Sequence, residues 1–112
     1  MLTTNTIDDI IVIRPQGRFD AYQAPQLNDW FNDNLTDTPP NVLIDLKDVT
    51  FMDTMALAIL VKWMKKTRED GGDLKLCGLQ QAVRIIFELS RLDKAFDIHT
   101  NYNDALDAFK RS

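Results

Sequence analysis

Apolar positions along this 112-residue chain fall into short strand-like runs and longer helical stripes that alternate. Residues 6–15 carry Ile7, Ile10, Ile11, Val12 and Ile13 around the polar pair Asp8-Asp9, which predicts two short strands joined by a turn. Gln16-Gly17 breaks the run. Over 21–35, Ala24, Leu27, Phe31 and Leu35 recur on one helical stripe bordered by Trp30. Asp20 is placed to cap that helix, with Gln23 as its reciprocal partner, and Thr38-Pro39-Pro40 stops it. Residues 41–46 hold the continuous run Val42-Leu43-Ile44 of a strand covered on both faces. A connection over 47–53 carries Val49, Phe51 and Met52. A second helix is predicted from Thr54 to Glu69, ended by Asp70-Gly71-Gly72. A strand over 73–77 closes at Gly78. A helix over 80–89 follows, with Val83, Ile86, Phe87 and Ser90 on one side. A short strand over 96–99 leads to a last helix over 102–109, with Leu106 and Phe109 inward and Asn103 as its cap. The order predicts an α/β fold, a central mixed β-sheet with about four helices packed on it.

Composition narrows the class. A chain 45% hydrophobic and 27% charged, of this length, reads as one globular domain over 1–112. Thirteen Lys+Arg against seventeen Asp+Glu leave a net charge of −4, a poor balance for nucleic acid. The basic run Lys62, Lys65, Lys66 and Arg68 is interrupted by Trp63 and Met64 and reads as a solvated helix face. Cys77 and His99 stand alone, so neither a disulfide nor a Cys/His zinc site can form, and no metal is expected. The first residues lack a secretory pattern, and the run Met55–Val61 is far shorter than a membrane span. A soluble, reduced, cytoplasmic protein without membrane insertion is the expectation.

No phosphate loop, dinucleotide fingerprint or nucleophile elbow is present, so neither a cofactor nor an enzyme is expected. Cys77, between apolar neighbours, reads as a core thiol, and His99 as structural or exposed. Asp20, Asp45 and Asp53 each follow an apolar strand or lead into a helix, positions that gather at the carboxyl ends of parallel strands. Three readings compete for them: helix caps and loop hydrogen bonds, a magnesium pocket around a phosphoacceptor aspartate, and an acidic frame around a regulatory hydroxyl. The magnesium reading needs a lysine from a later strand end, and the sequence offers no clear candidate.

The stretch Asp45-Leu46-Lys47-Asp48-Val49-Thr50-Phe51-Met52-Asp53-Thr54-Met55-Ala56-Leu57-Ala58-Ile59-Leu60 resembles the signature of STAS domains, in particular the small bacterial anti-sigma factor antagonists. Gly17-Arg18-Phe19-Asp20-Ala21 is similar to the family's segment between strand and first helix. Gly71-Gly72-Asp73-Leu74-Lys75-Leu76-Cys77-Gly78 is similar to its strand after the second helix. The run Val83 to Leu92 and the closing Asp104-Ala105-Leu106 also match, so the resemblance spans nearly the whole chain in order. Three departures stand out: Met55-Ala56 replaces the usual Ser/Thr-Gly, Arg91-Leu92 stands where Gly-Leu is common, and Thr54 stands where the family has Ser.

The resemblance implies a STAS fold, no catalysis, and a partner switch in bacterial signal transduction and transcription regulation. Thr54 is then the phosphorylation site, with Asp20 and Asp53 as its environment. The unmodified form binds an anti-sigma factor that is also a serine-threonine kinase, and a PP2C-type phosphatase restores that form. Beside this, the residues allow Asp53-Thr54 simply to cap the second helix. That helix is apolar on more than one face, which nominates Met55, Ala56, Leu57 and Ala58 as the partner surface, with Met55 the best anchor. A non-switching STAS scaffold of stressosome-like or transporter-associated complexes is the alternative. Whether the chain forms a homodimer stays open.

Overall fold

The computed structural model describes residues 2–35 and 40–110. Its first two strands, β1 (Leu2–Ile7) and β2 (Ile10–Pro15), form an antiparallel hairpin in which Ile7 faces Ile10. Asp8 and Asp9 close it with φ of 50° and 66°, a two-residue turn whose left-handed residues match the strand twist. Asp tolerates that region better than most residues.

Strand β4 (Asn41–Asp45) adds parallel to β2, followed by β6 (Asp73–Cys77) and β7 (Asp97–His99), giving the order β1-β2-β4-β6-β7. The sheet is therefore mixed, as expected. Two strands in segments expected to be irregular, β3 (Gly17–Phe19) and β5 (Val49–Met52), pair parallel in a separate two-stranded sheet. The helices are α1 (Ala24–Asn34), α2 (Thr54–Glu69), α3 (Gln81–Leu89) and α4 (Tyr102–Lys110).

Strand alternation sorts the core into two layers. Ile13, Val42, Ile44, Leu74 and Leu76 pack with residues of α1, α2 and α3. Ile10, Val12, Leu43 and Cys77 point the other way, onto Ala105, Leu106 and Phe109 of α4. In the first layer Phe31 of α1 stacks on Trp63 of α2, with ring centroids 4.7 Å apart. Asn28 Oδ1 accepts from Trp63 Nε1 at 2.9 Å, so the buried indole N–H is satisfied. The basic residues of α2 are exposed while Trp63 and Met64 are buried, the solvated face that the charge run predicted.

Several boundaries differ from expectation. Helix α1 begins at Ala24, three residues after Ala21, with Pro25 in its first turn, where a missing N–H costs nothing. Its N-cap position is Gln23, without a side-chain cap bond. Helix α4 is capped by Asn101, not Asn103: Asn101 Oδ1 accepts from Asp104 N at 2.9 Å. Ser90, expected inward, is exposed and returns its hydroxyl to the Ile86 carbonyl. Thr38 and Pro39 of the predicted helix stop lie outside the described residues. Gly72 is required by contact: a Cβ there would fall 1.8 Å from the Pro40 carbonyl oxygen.

Candidate functional site

The paired strands β3 and β5 deliver Asp20 and Asp53 to neighbouring positions. Phe19 pairs with Met52, and each strand runs straight into an aspartate. Asp53 adopts extended backbone at the N-cap of α2, and its Oδ1 accepts from Ala56 N at 2.9 Å. Its Oδ2 accepts from Ala21 N, also at 2.9 Å, which ties the start of α2 to the turn before α1. Asp20 organises that turn: its Oδ1 accepts from Tyr22 N at 3.0 Å and from Gln23 N at 3.3 Å. Burial alone would raise the Asp20 pKa, but the two N–H donors and the nearby Arg18 guanidinium outweigh it and hold the carboxyl below its usual value. Arg18 Nε lies 3.5 Å from Asp20 Oδ2, and its guanidinium carbon sits 4.1 Å over the Phe51 ring.

Thr54 is the first residue of α2, one position past the cap. Its side chain is exposed and makes no hydrogen bond among the described residues. The capping role therefore belongs to Asp53. Met55 and Ala58 are also exposed, Met55 at 50%. Ala56 and Leu57, expected with them on the partner surface, instead pack into the core, because a helix lying on a sheet must turn one stripe inward. Tyr22 and Phe51, which sequence reasoning missed, are exposed aromatics near the same helix end. Phe51 was hidden by its place in a segment that reads as a loop, although Val49 and Met52 turn inward around it.

Asp45 does not join Asp20 and Asp53. It lies on the α4 face of the sheet, buried, where Arg14 Nε donates to its Oδ2 at 3.2 Å and Lys47 N to its Oδ1 at 3.2 Å. Neighbouring Cys77 is fully buried, and burial together with the Asp45 charge pushes its thiol pKa up to about 12. His99 on β7 is half-buried, its Nε2 2.9 Å from Asp97 Oδ2. Among the described residues no group of three His, Cys, Asp or Glu could hold a metal ion. No helix of the described residues is long and apolar enough to cross a membrane.

The STAS domain family model matches residues 1–105. The anti-sigma-B factor antagonist of Bacillus subtilis (strain 168) is 32% identical over 88 residues, covering 79% of this chain and 80% of the relative. The crystal structure of an anti-sigma factor antagonist from Mycobacterium paratuberculosis superposes with a TM-score of 0.87 at 28% identity, covering 98% of this chain and 93% of that one. An anti-sigma-factor antagonist (STAS) domain protein from Planctomyces limnophilus shares the fold at a TM-score of 0.87 and 21% identity, with 97% of each chain covered. The chain belongs to the STAS domain family, and its curated relatives are named anti-sigma factor antagonists.

Proposed function

We propose that this chain is a partner-switching anti-sigma factor antagonist whose grip on its partner is set by phosphorylation of Thr54. The carrying observation is that Thr54 is exposed at the start of α2 with no side-chain hydrogen bond among the described residues, while its neighbour Asp53 does the capping. A hydroxyl without a structural duty can be modified without unfolding the helix. A phosphate there adds about −1.5 to −2 charges at pH 7. The helix dipole and the N–H groups of the first turn offset part of that charge within the molecule.

For a partner, the added charge acts differently. Two acidic side chains, Asp20 and Asp53, already stand beside the acceptor, so a phosphate deepens a negative field. A surface that docks against the neutral hydroxyl, Met55 and Ala58 then pays desolvation and repulsion. The partner is an anti-sigma factor with serine-threonine kinase activity, and a PP2C-type phosphatase reverses the modification. Asp53 keeps the acceptor segment in place through its bonds to Ala56 N and Ala21 N, and Asp20 holds the turn to which Asp53 is tied. The switch is electrostatic and steric, with the fold unchanged.

Thr54→Ala and Thr54→Asp, tested for binding to the anti-sigma factor of the same cell, check this reading. The expected result is that Thr54→Ala binds constitutively and Thr54→Asp weakly. Equal binding by both variants and the unmodified chain would instead identify a non-switching scaffold.

A further inference from the structure

On the α4 face, at the carboxyl ends of β2, β4, β6 and β7, a cavity of about 290 Å³ is lined by Arg14, Asp45, Lys47, Gly78, Asn101 and Tyr102, with Thr100 beside them. Open α/β sheets collect ligands at this end of their strands. None of its lining residues belongs to the Thr54 site.

Charge accounting decides what the cavity suits. Asp45 is the acidic residue of the lining, and both its oxygens are already engaged, by Arg14 Nε and by Lys47 N. Arg14 is further fixed by its Nη1, which donates to Asn5 Oδ1 at 2.9 Å, and by its guanidinium lying 4.9 Å from the Tyr102 ring centroid. Its Nη2 has no hydrogen-bond partner among the described residues. The Lys47 ammonium likewise has no carboxylate within ion-pair distance among the described residues, and its side chain is exposed. One positive charge is thus left over, in a chain whose net charge is −4. Gly78 keeps the wall clear: at φ +72°, an added Cβ would lie 3.1 Å from Asp45 Oδ1 and 3.2 Å from Lys47 Cβ.

We infer that this cavity binds a small organic oxyanion, its carboxylate or phosphate head held between Arg14 Nη2 and the Lys47 ammonium. Tyr102 supplies an apolar wall for the body of the ligand, and Thr100 supplies a partner for its hydroxyls.

The test is a titration of the full chain, followed by amide and arginine Nε NMR shifts. The probes are inorganic phosphate, glycerol 3-phosphate and glycerate, with neutral glycerol as the blank. Saturable shifts at Lys47, Gly78, Thr100 to Tyr102 and Arg14 Nε are expected with at least one of the anions. Comparison of glycerol 3-phosphate with glycerate then identifies the head group. Lys47→Gln, a change at an exposed side chain, weakens that binding at least tenfold while the remaining spectrum stays in place. Gly78→Ala, if it folds, closes the site. The inference is overturned if no anion saturates at millimolar concentration, if glycerol binds equally, or if Lys47→Gln leaves affinity unchanged. Shifts centred on the amides of Thr54 to Ala56 would also overturn it, because they would place the anion at the other site.

Discussion

Asp53 holds two elements with one carboxylate, and its removal separates that structural duty from the regulatory one proposed for Thr54. Asp53→Ala takes away the α2 cap and leaves the Ala21 N–H without its partner. The expected cost is about 1–2 kcal/mol in urea unfolding, and Asp53→Asn, which keeps an accepting oxygen, costs less. Thr54→Ala removes an exposed side chain with no bond among the described residues and is expected to shift stability by no more than about 0.5 kcal/mol. At Cys77 the raised pKa and full burial predict a native thiol inert to a disulfide reagent at pH 8. One equivalent should react after unfolding in urea. Rapid native reaction would mean that this layer of the core opens.

Among the elements, the boundaries that were legible follow a helical stripe or an unbroken apolar run. The stripe on α2 and its Gly71-Gly72 stop placed that helix at Thr54–Glu69, and the run Val42-Leu43-Ile44 placed β4. The pair β3 and β5 was not legible, because Gly17 reads as a breaker and the inward Val49 and Met52 stand three apart, out of step with strand alternation. They exist through pairing with each other, and that pairing brings Asp20 to Asp53. The motif placed Thr54 beside Asp53, but it did not separate Met55 and Ala58 from the buried Ala56 and Leu57. Tertiary packing makes that division. The backbone contact between Gly72 and Pro40 predicts a further cost. Gly72→Ala forces a Cβ against the Pro40 carbonyl and should destabilise the chain by about 1–3 kcal/mol in chemical unfolding. An unchanged midpoint would show that the start of β4 yields freely.

At the scale of the whole molecule, the two sheet faces have different characters. The face under α1, α2 and α3 is apolar, whereas the α4 face carries ions: Lys75 Nζ lies 2.7 Å from Asp97 Oδ2 and 3.1 Å from Asp73 Oδ2. Burial opposes ionisation of both aspartates, but Lys75 outweighs it, with Arg68 at Asp73 and His99 at Asp97, and both carboxyls sit below their usual value of 3.8. A carboxyl depressed in the folded state binds fewer protons there than in the unfolded chain. Its stabilisation is therefore present above pH 3.8 and lost as pH falls through the lower folded value. Lys75 has the opposite sense: its pKa is raised above 10.5, so its contribution is complete below that pH and is lost as pH rises through the higher folded value. Thermal melts should show a plateau between these limits, and Asp97→Asn should flatten the acid limb. None of these groups belongs to the Thr54 site, so the proposed switch can alter surface charge at one end of α2 without drawing on the ions that hold the opposite face.

Calorimetric titration of the chain, unmodified and stoichiometrically phosphorylated on Thr54, into the anti-sigma factor of its own cell reads the proposed switch itself. The unmodified chain should form a complex, and phosphorylation should weaken it at least tenfold, equivalent to about 1.4 kcal/mol. Equal affinities for the two forms would contradict the switch and leave Thr54 an exposed residue at a helix start.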